Sequence, residues 1–175
     1  MCIRDRHKTE AGAVVLNLKD EEALKLAVEK MRIDVTAYDA DAASELFLVE
    51  AMSPNPVAEL IINLRQDSQF GAALVLGSGG VLVELMADTA TLLLPTSPAD
   101  IIRALKSLRV GRLLEGFRGR PAVDIPKVAE EIYKLCIAYQ DQKKTVAEIE
   151  INPLFVYKEE VSAIDALIQV PVAKQ

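Results

Sequence analysis

Glu148-Ile149-Glu150-Ile151-Asn152-Pro153-Leu154, with Asp165 following thirteen residues after Asn152 in Val161-Ser162-Ala163-Ile164-Asp165-Ala166, is the stretch on which the fold turns. Extended backbone sends successive side chains to opposite faces, so Glu148, Glu150 and Asn152 share one face and Ala147, Ile149 and Ile151 the other. One face is apolar and the other rich in oxygen. Hard oxygen donors, one of them a carboxylate from a neighbouring strand, suit Mg²⁺ with nucleotide phosphates, because Mg²⁺ takes few protein ligands and leaves its other positions to phosphate and water. An exposed acidic strand edge would give the same pattern, and the rest of the chain has to decide.

Outward from this stretch, hydrophobic periodicity predicts strands at 11–17, 45–52, 56–65, 71–76, 81–86, 90–94, 145–151 and 161–168. Turn signals separate them at Ser53-Pro54-Asn55-Pro56, Gln66-Asp67-Ser68 and Gly77-Ser78-Gly79-Gly80. Short connections favour antiparallel pairing. One helix is predicted over 20–31, with Asp20 as N-cap and Ala23, Leu24, Ala27, Val28 and Met31 in an apolar stripe. A second opens at Ser97-Pro98-Ala99-Asp100, with cap, proline and acid in the order that starts a helix. A third covers 124–139, with Val128, Ile132, Leu135, Cys136 and Tyr139 inward. Residues 34–44 are polar and carry no pattern. Strands interspersed with helices, without a regular βαβ rhythm, indicate an α+β or mixed α/β fold.

The 175 residues, 51% of them hydrophobic, suit one domain or part of a larger one with a real core. A net charge of -6 argues against a nucleic-acid surface. No run approaches a membrane span or a signal peptide, and Cys2 and Cys136 imply no disulfide framework, which together point to a cytoplasmic protein. Met1-Cys2-Ile3-Arg4-Asp5-Arg6 reads as neither strand start nor helix cap, so residues 1–6 are expected to be an artefactual start, residues 7–170 a truncated domain, and 171–175 a tail.

Other motifs carry two meanings each. Gly77-Ser78-Gly79-Gly80 could offer backbone N–H groups to phosphate, but it lacks a P-loop lysine and a tight hairpin explains it as well. Gly116-Phe117-Arg118-Gly119-Arg120-Pro121 places two arginines in a glycine-flanked loop, able to meet phosphate or simply solvated. His7, the one histidine, could act as a nucleophile toward phosphorus, since neutral imidazole attacks at physiological pH, or be an ordinary polar residue.

Taken in order, His7-Lys8-Thr9-Glu10-Ala11-Gly12-Ala13-Val14, Leu48-Val49-Glu50-Ala51-Met52, Asp67-Ser68-Gln69-Phe70-Gly71, Gly79-Gly80-Val81-Leu82-Val83-Glu84, Gly116 to Pro121 and Glu148 to Leu154 resemble the ATP-grasp portion of NDP-forming acyl-CoA synthetases. These include ADP-forming acetate–CoA ligases, and the succinyl-CoA ligase β chain is related. The resemblance runs from His7 to about Ile168. It implies a reversible reaction in which acyl-CoA, phosphate and ADP interconvert with free acid, CoA and ATP. The phosphoryl group travels through an acyl phosphate and a phosphohistidine on a CoA-binding partner, and is passed to ADP in the ATP-grasp cleft.

Residue by residue, the resemblance implies that Asn152 and Asp165 bind Mg²⁺ with Glu150 beside them, and that Glu50, Ala51 and Met52 form the strand that holds adenine. It places His7 at a second, phosphate-relaying histidine and favours Arg118 for phosphate contact. It also implies an upstream strand with a phosphate-binding lysine, for which Lys8 is no substitute, and a CoA-binding and ligase subunit or domain, separate or fused. The expectation is therefore a fragment that is inactive alone. The acid used, and ADP against GDP, stay open. Two other readings stand beside this one: the synthetase-like region of a protein lysine acetyltransferase, and a non-catalytic nucleotide-binding or assembly module.

Overall fold

The computed structural model describes residues 8–42, 44–80 and 88–171. His7 and the strand expected at 81–86 lie outside the described residues. The chain divides into two compact units, residues 1–54 and 55–175.

The first unit is built on helix α1, Glu21–Tyr38. Asp20 caps it as expected, its carboxylate accepting from the Ala23 N–H at 2.8 Å, and the helix runs seven residues beyond the predicted end at 31. The strands expected at 11–17 and 45–52 are absent. Residues 8–12 instead form a turn, with Ala13 N–H bonded to the Lys8 carbonyl at 2.8 Å and Gly12 in the left-handed region. Residues 46–56 have no regular structure. A strand is defined by its ladder, and among the described residues neither segment enters one. Most of their large apolar side chains are correspondingly exposed, Leu48 at 83% and Leu16 at 61%.

The second unit holds a six-stranded sheet. Its strands are β1 (Ala58–Asp67), β2 (Gly71–Ser78), β3 (Thr89–Leu93), β4 (Glu148–Val156), β5 (Val161–Ala163) and β6 (Ala166–Gln169). The order is β3-β2-β1-β4-β5, with β6 also on β4, and every pairing is antiparallel. Helices α2 (Pro98–Ser107) and α4 (Ile125–Gln142) flank the sheet, with the short α3 (Gly111–Leu114) between them in sequence. Both long helices start where the sequence says: Ser97 Oγ accepts from Asp100 N–H at 3.2 Å, and Asp124 accepts from Lys127 N–H at 3.1 Å. The expected strand 161–168 is two strands, broken at Ile164-Asp165.

The core is the helix-facing side of the sheet. Leu60, Ile62, Leu64, Leu74, Leu76, Ile151, Leu154 and Val156 meet Ile101 and Leu105 of α2 and Val128, Ile132, Cys136 and Tyr139 of α4 in one buried cluster. Burying such side chains contributes roughly 1.5–3 kcal/mol each before entropy is charged against it. Tyr139 sits fully buried and donates its hydroxyl to the Ala147 carbonyl at 2.9 Å, fixing α4 against the entry to β4.

Candidate functional site

Strand β4 departs from simple alternation at one place. Ile62 pairs with Ile151 while Leu60 pairs with Leu154, so two steps along β1 match three along β4, and Asn152-Pro153 forms a bulge opposite Ile61. Before the bulge the odd residues Ile149 and Ile151 face the helices; after it the even residues Leu154 and Val156 do. The bulge lies opposite the break between β5 and β6. Asn152 N–H donates to the Asp165 carbonyl and Ile164 N–H to the Pro153 carbonyl, both at 3.1 Å. Asn152 and Asp165 are thus backbone neighbours despite their separation in sequence, and Asp165 is exposed rather than turned into the core.

A third segment reaches the same place. Gly80 N–H donates to Asn152 Oδ1 at 3.1 Å. Gly79 N–H bonds the Glu59 carbonyl at 2.8 Å, so the glycine segment lies along β1 and is not a free phosphate cradle. Gly79 must lack a side chain, because a Cβ there would stand 2.5 Å from the Leu60 backbone. Gly80 has φ +78°, and the space beside it is taken by the Glu59 carboxylate.

Glu148 and Glu150 are linked through β1. Asn63 Nδ2 donates to Glu148 Oε1 at 2.6 Å and to Glu150 Oε2 at 3.3 Å. Burial, and after it the charge of Glu148, raises the Tyr139 phenol above its ordinary range. Asn63 was not among the residues singled out in the sequence; the signal was a lone amide within the apolar run Leu60-Ile61-Ile62-Asn63-Leu64.

Asp88 carries no motif in the sequence, and it ties the C-terminal end of β2 to the connection between α2 and α3. Its carboxylate accepts from Ser78 Oγ at 2.8 Å, Arg109 N–H at 2.9 Å and Val110 N–H at 3.1 Å. Burial pushes its pKa up, but the donors from Arg109, Ser78 and Val110 outweigh that and hold it below the ordinary carboxylate value.

Of the other expected residues, Arg118 lies on a loop of the second unit. It is exposed there, within 116–121, with φ +49° and its guanidinium 5.2 Å from the Phe117 ring centroid. Glu50, Ala51 and Met52 belong to the first unit, where they are exposed and irregular rather than a strand. His7 lies outside the described residues.

Chemically, the Asn152–Asp165 pair fits Mg²⁺. Both offer hard oxygen donors, and Asn152 Oδ1 keeps a second lone pair beyond the one that Gly80 uses. Among the described residues no group of three or more His, Cys, Asp or Glu side chains is placed to hold a metal ion. The pair would therefore supply a few ligands and leave the remainder to phosphate oxygens and water, the arrangement Mg²⁺ takes with nucleotides.

Comparison with known proteins agrees with this architecture. Residues 4–170 match the family model described as ATP-grasp domain. The chain is 31% identical over 158 residues to the β subunit of ADP-forming acetate–CoA ligase II of Pyrococcus furiosus, covering 90% of this chain and 66% of that one. It is 34% identical over 155 residues to the ADP-forming acetate–CoA ligase of Methanocaldococcus jannaschii, covering 87% of this chain and 22% of that longer one. Among solved structures it resembles a dinucleotide forming acetyl-coenzyme A synthetase of Ca. Korarchaeum cryptofilum, in complex with coenzyme A and Mg-AMPPCP, with its phosphohistidine segment pointing towards the nucleotide binding site. There the TM-score is 0.78 at 30% identity, over 94% of this chain and 71% of that one. The chain thus spans about two thirds of the first relative and about a fifth of the second.

Proposed function

The chain belongs to the ATP-grasp domain family, and from that premise we propose that it forms the Mg²⁺–nucleotide wall of an ADP-forming acyl-CoA synthetase of the acetate–CoA ligase type. In that role it moves a phosphoryl group between a phosphohistidine on a CoA-binding partner, fused or separate, and ADP. The single observation that supports this reading best is the meeting of Asn152, Asp165 and Gly80 at the β4 bulge.

Each part has a physical task. Asn152 and Asp165 would hold Mg²⁺, which when bound supplies charge neutralisation for phosphoryl transfer. Glu150 adds negative potential beside the ion. Arg118, exposed and carried on a loop with positive φ, supplies a guanidinium fork to phosphate. Glu50, Ala51 and Met52 hold the adenine, and His7 relays the phosphoryl group, both proposed from their positions in the sequence. The protein would work in the cytoplasm, where ADP, phosphate and acyl-CoA are found.

The test is a coupled assay on the complete enzyme with its CoA-binding part. Acetyl-CoA, phosphate and ADP should yield ATP only with Mg²⁺ present, and Asn152→Ala should abolish that yield while leaving CoA binding intact. ATP formation that survives both Mg²⁺ removal and Asn152→Ala would refute the assignment.

A further inference from the structure

We infer that Asn63 is a positioning residue that clamps Glu148 and Glu150 in place beside the β4 bulge, an inference that rests on the Mg²⁺–nucleotide reading above. Asn63 lies directly across from Glu150 in the ladder, and its neighbour Arg65 from Glu148. Only 8% of Asn63 is exposed, on the sheet face that it shares with Glu148 and Glu150 and opposite the core residues Ile62 and Leu64. Valine or leucine would fill that position but leave both carboxylates without this donor. An amide nitrogen, however, carries two N–H bonds and can serve two carboxylates at once, and at 2.6 Å and 3.3 Å it serves Glu148 and Glu150 together.

The orientation follows from charge. Turning the amide over would aim its carbonyl at two carboxylates, so the nitrogen faces them and Oδ1 faces away. Oδ1 is then buried without a hydrogen-bond partner. A buried acceptor left unpaired is a stability penalty, and the clamp is the gain that sets Asn63 apart from an ordinary core residue. Two carboxylates two residues apart on one strand face repel and splay when nothing holds them. Pinned by a neutral donor, they keep Glu150 fixed two residues before Asn152, where its field acts on the ion.

The experiment uses the complete enzyme, with Mn²⁺ and ADP as the probe and electron paramagnetic resonance to count bound metal, alongside thermal melting. Asn63→Ala should weaken Mn²⁺ binding roughly tenfold, the usual scale for groups that orient ligands. Asn63→Asp, which keeps the shape but replaces the donor with a third carboxylate, should also weaken it. In a Glu148→Gln, Glu150→Gln background, Asn63→Ala should cause no further loss. Folded Asn63 variants with wild-type Mn²⁺ affinity, or a tenfold loss that persists in the Gln background, would overturn the clamp. Absence of nucleotide-dependent Mn²⁺ binding by the wild-type enzyme would instead overturn the proposed function, and the inference with it.

Discussion

Asn152 donates its backbone N–H to the Asp165 carbonyl at 3.1 Å, joining the bulge of β4 to the break between β5 and β6. Without the bulge, Asn152 would sit in a regular ladder; without the break, Asp165 would be one more strand residue. Each irregularity faces the other, and together they set Asn152 beside Asp165 where regular pairing is interrupted.

Asp88 should stabilise the fold through its three donors. Asp88→Asn keeps the shape but weakens acceptance from Ser78, Arg109 and Val110, and should cost about 2 kcal/mol at neutral pH. Because the native pKa is lowered from 3.8, the contribution is present above that value and is lost as pH falls through the lowered one. Urea denaturation of both proteins at pH 7 and pH 3 checks this: the gap between them should narrow in acid. A gap that is equal at both values would mean that the Asp88 charge is not what the three donors recognise.

Gly79→Ala should destabilise the second unit by about 1–3 kcal/mol, since the new methyl group must displace the Leu60 backbone rather than a pliable side chain. Gly119→Ala is the comparison. Nothing stands within 4 Å of a Cβ there, so only its positive φ is penalised. Thermal melting of the two variants should therefore rank Gly79 as the more costly; the reverse order would mean that the glycine segment does not lie against β1.

Cys136 should be inert in the native protein. Burial pushes its thiol up to about 11 from an ordinary 9.0. A raised pKa of this kind contributes stability that is full below pH 9 and fades as pH rises through 11. Iodoacetamide at pH 8 followed by peptide mass spectrometry should find Cys136 unmodified until urea is added, whereas prompt native labelling would mean that α4 does not seal the core.

Arg118→Ala should leave the melting temperature unchanged, because the side chain is exposed and, among the described residues, lies against its neighbour Phe117. Phosphoryl transfer by the complete enzyme should fall roughly 100-fold, as when a charged donor is removed from a transition state. Unaltered turnover would return Arg118 to the status of a solvated loop residue.

Much of the second unit is legible in its sequence. Ser97-Pro98-Ala99-Asp100 and Asp124 announce helices because a cap satisfies orphan N–H groups within a few residues, a purely local event. Strands β1, β2 and β4 are readable from apolar side chains buried on one face. The segments 11–17 and 45–52 carry equally strand-like residues yet form none, since a ladder depends on a partner that local sequence does not specify. The bulge at Asn152-Pro153 hides for the same reason: it is a mismatch of register with Leu60 and Ile62, visible only once β1 is alongside. Asn63 looks like an interruption of an apolar run until Glu148 and Glu150 are seen across from it.

The measurement that bears most directly on the whole account is Asp165→Asn in the complete enzyme, with ATP formation and thermal unfolding followed on the same preparations. Asp165 is exposed, and its backbone carbonyl, which carries the bond to Asn152, is untouched by the change. Phosphoryl transfer should fall about 100-fold or more, partly offset by raising Mg²⁺, with a melting temperature within a few degrees of wild type. Turnover that falls only in step with stability, or that holds at the wild-type rate, would contradict the account.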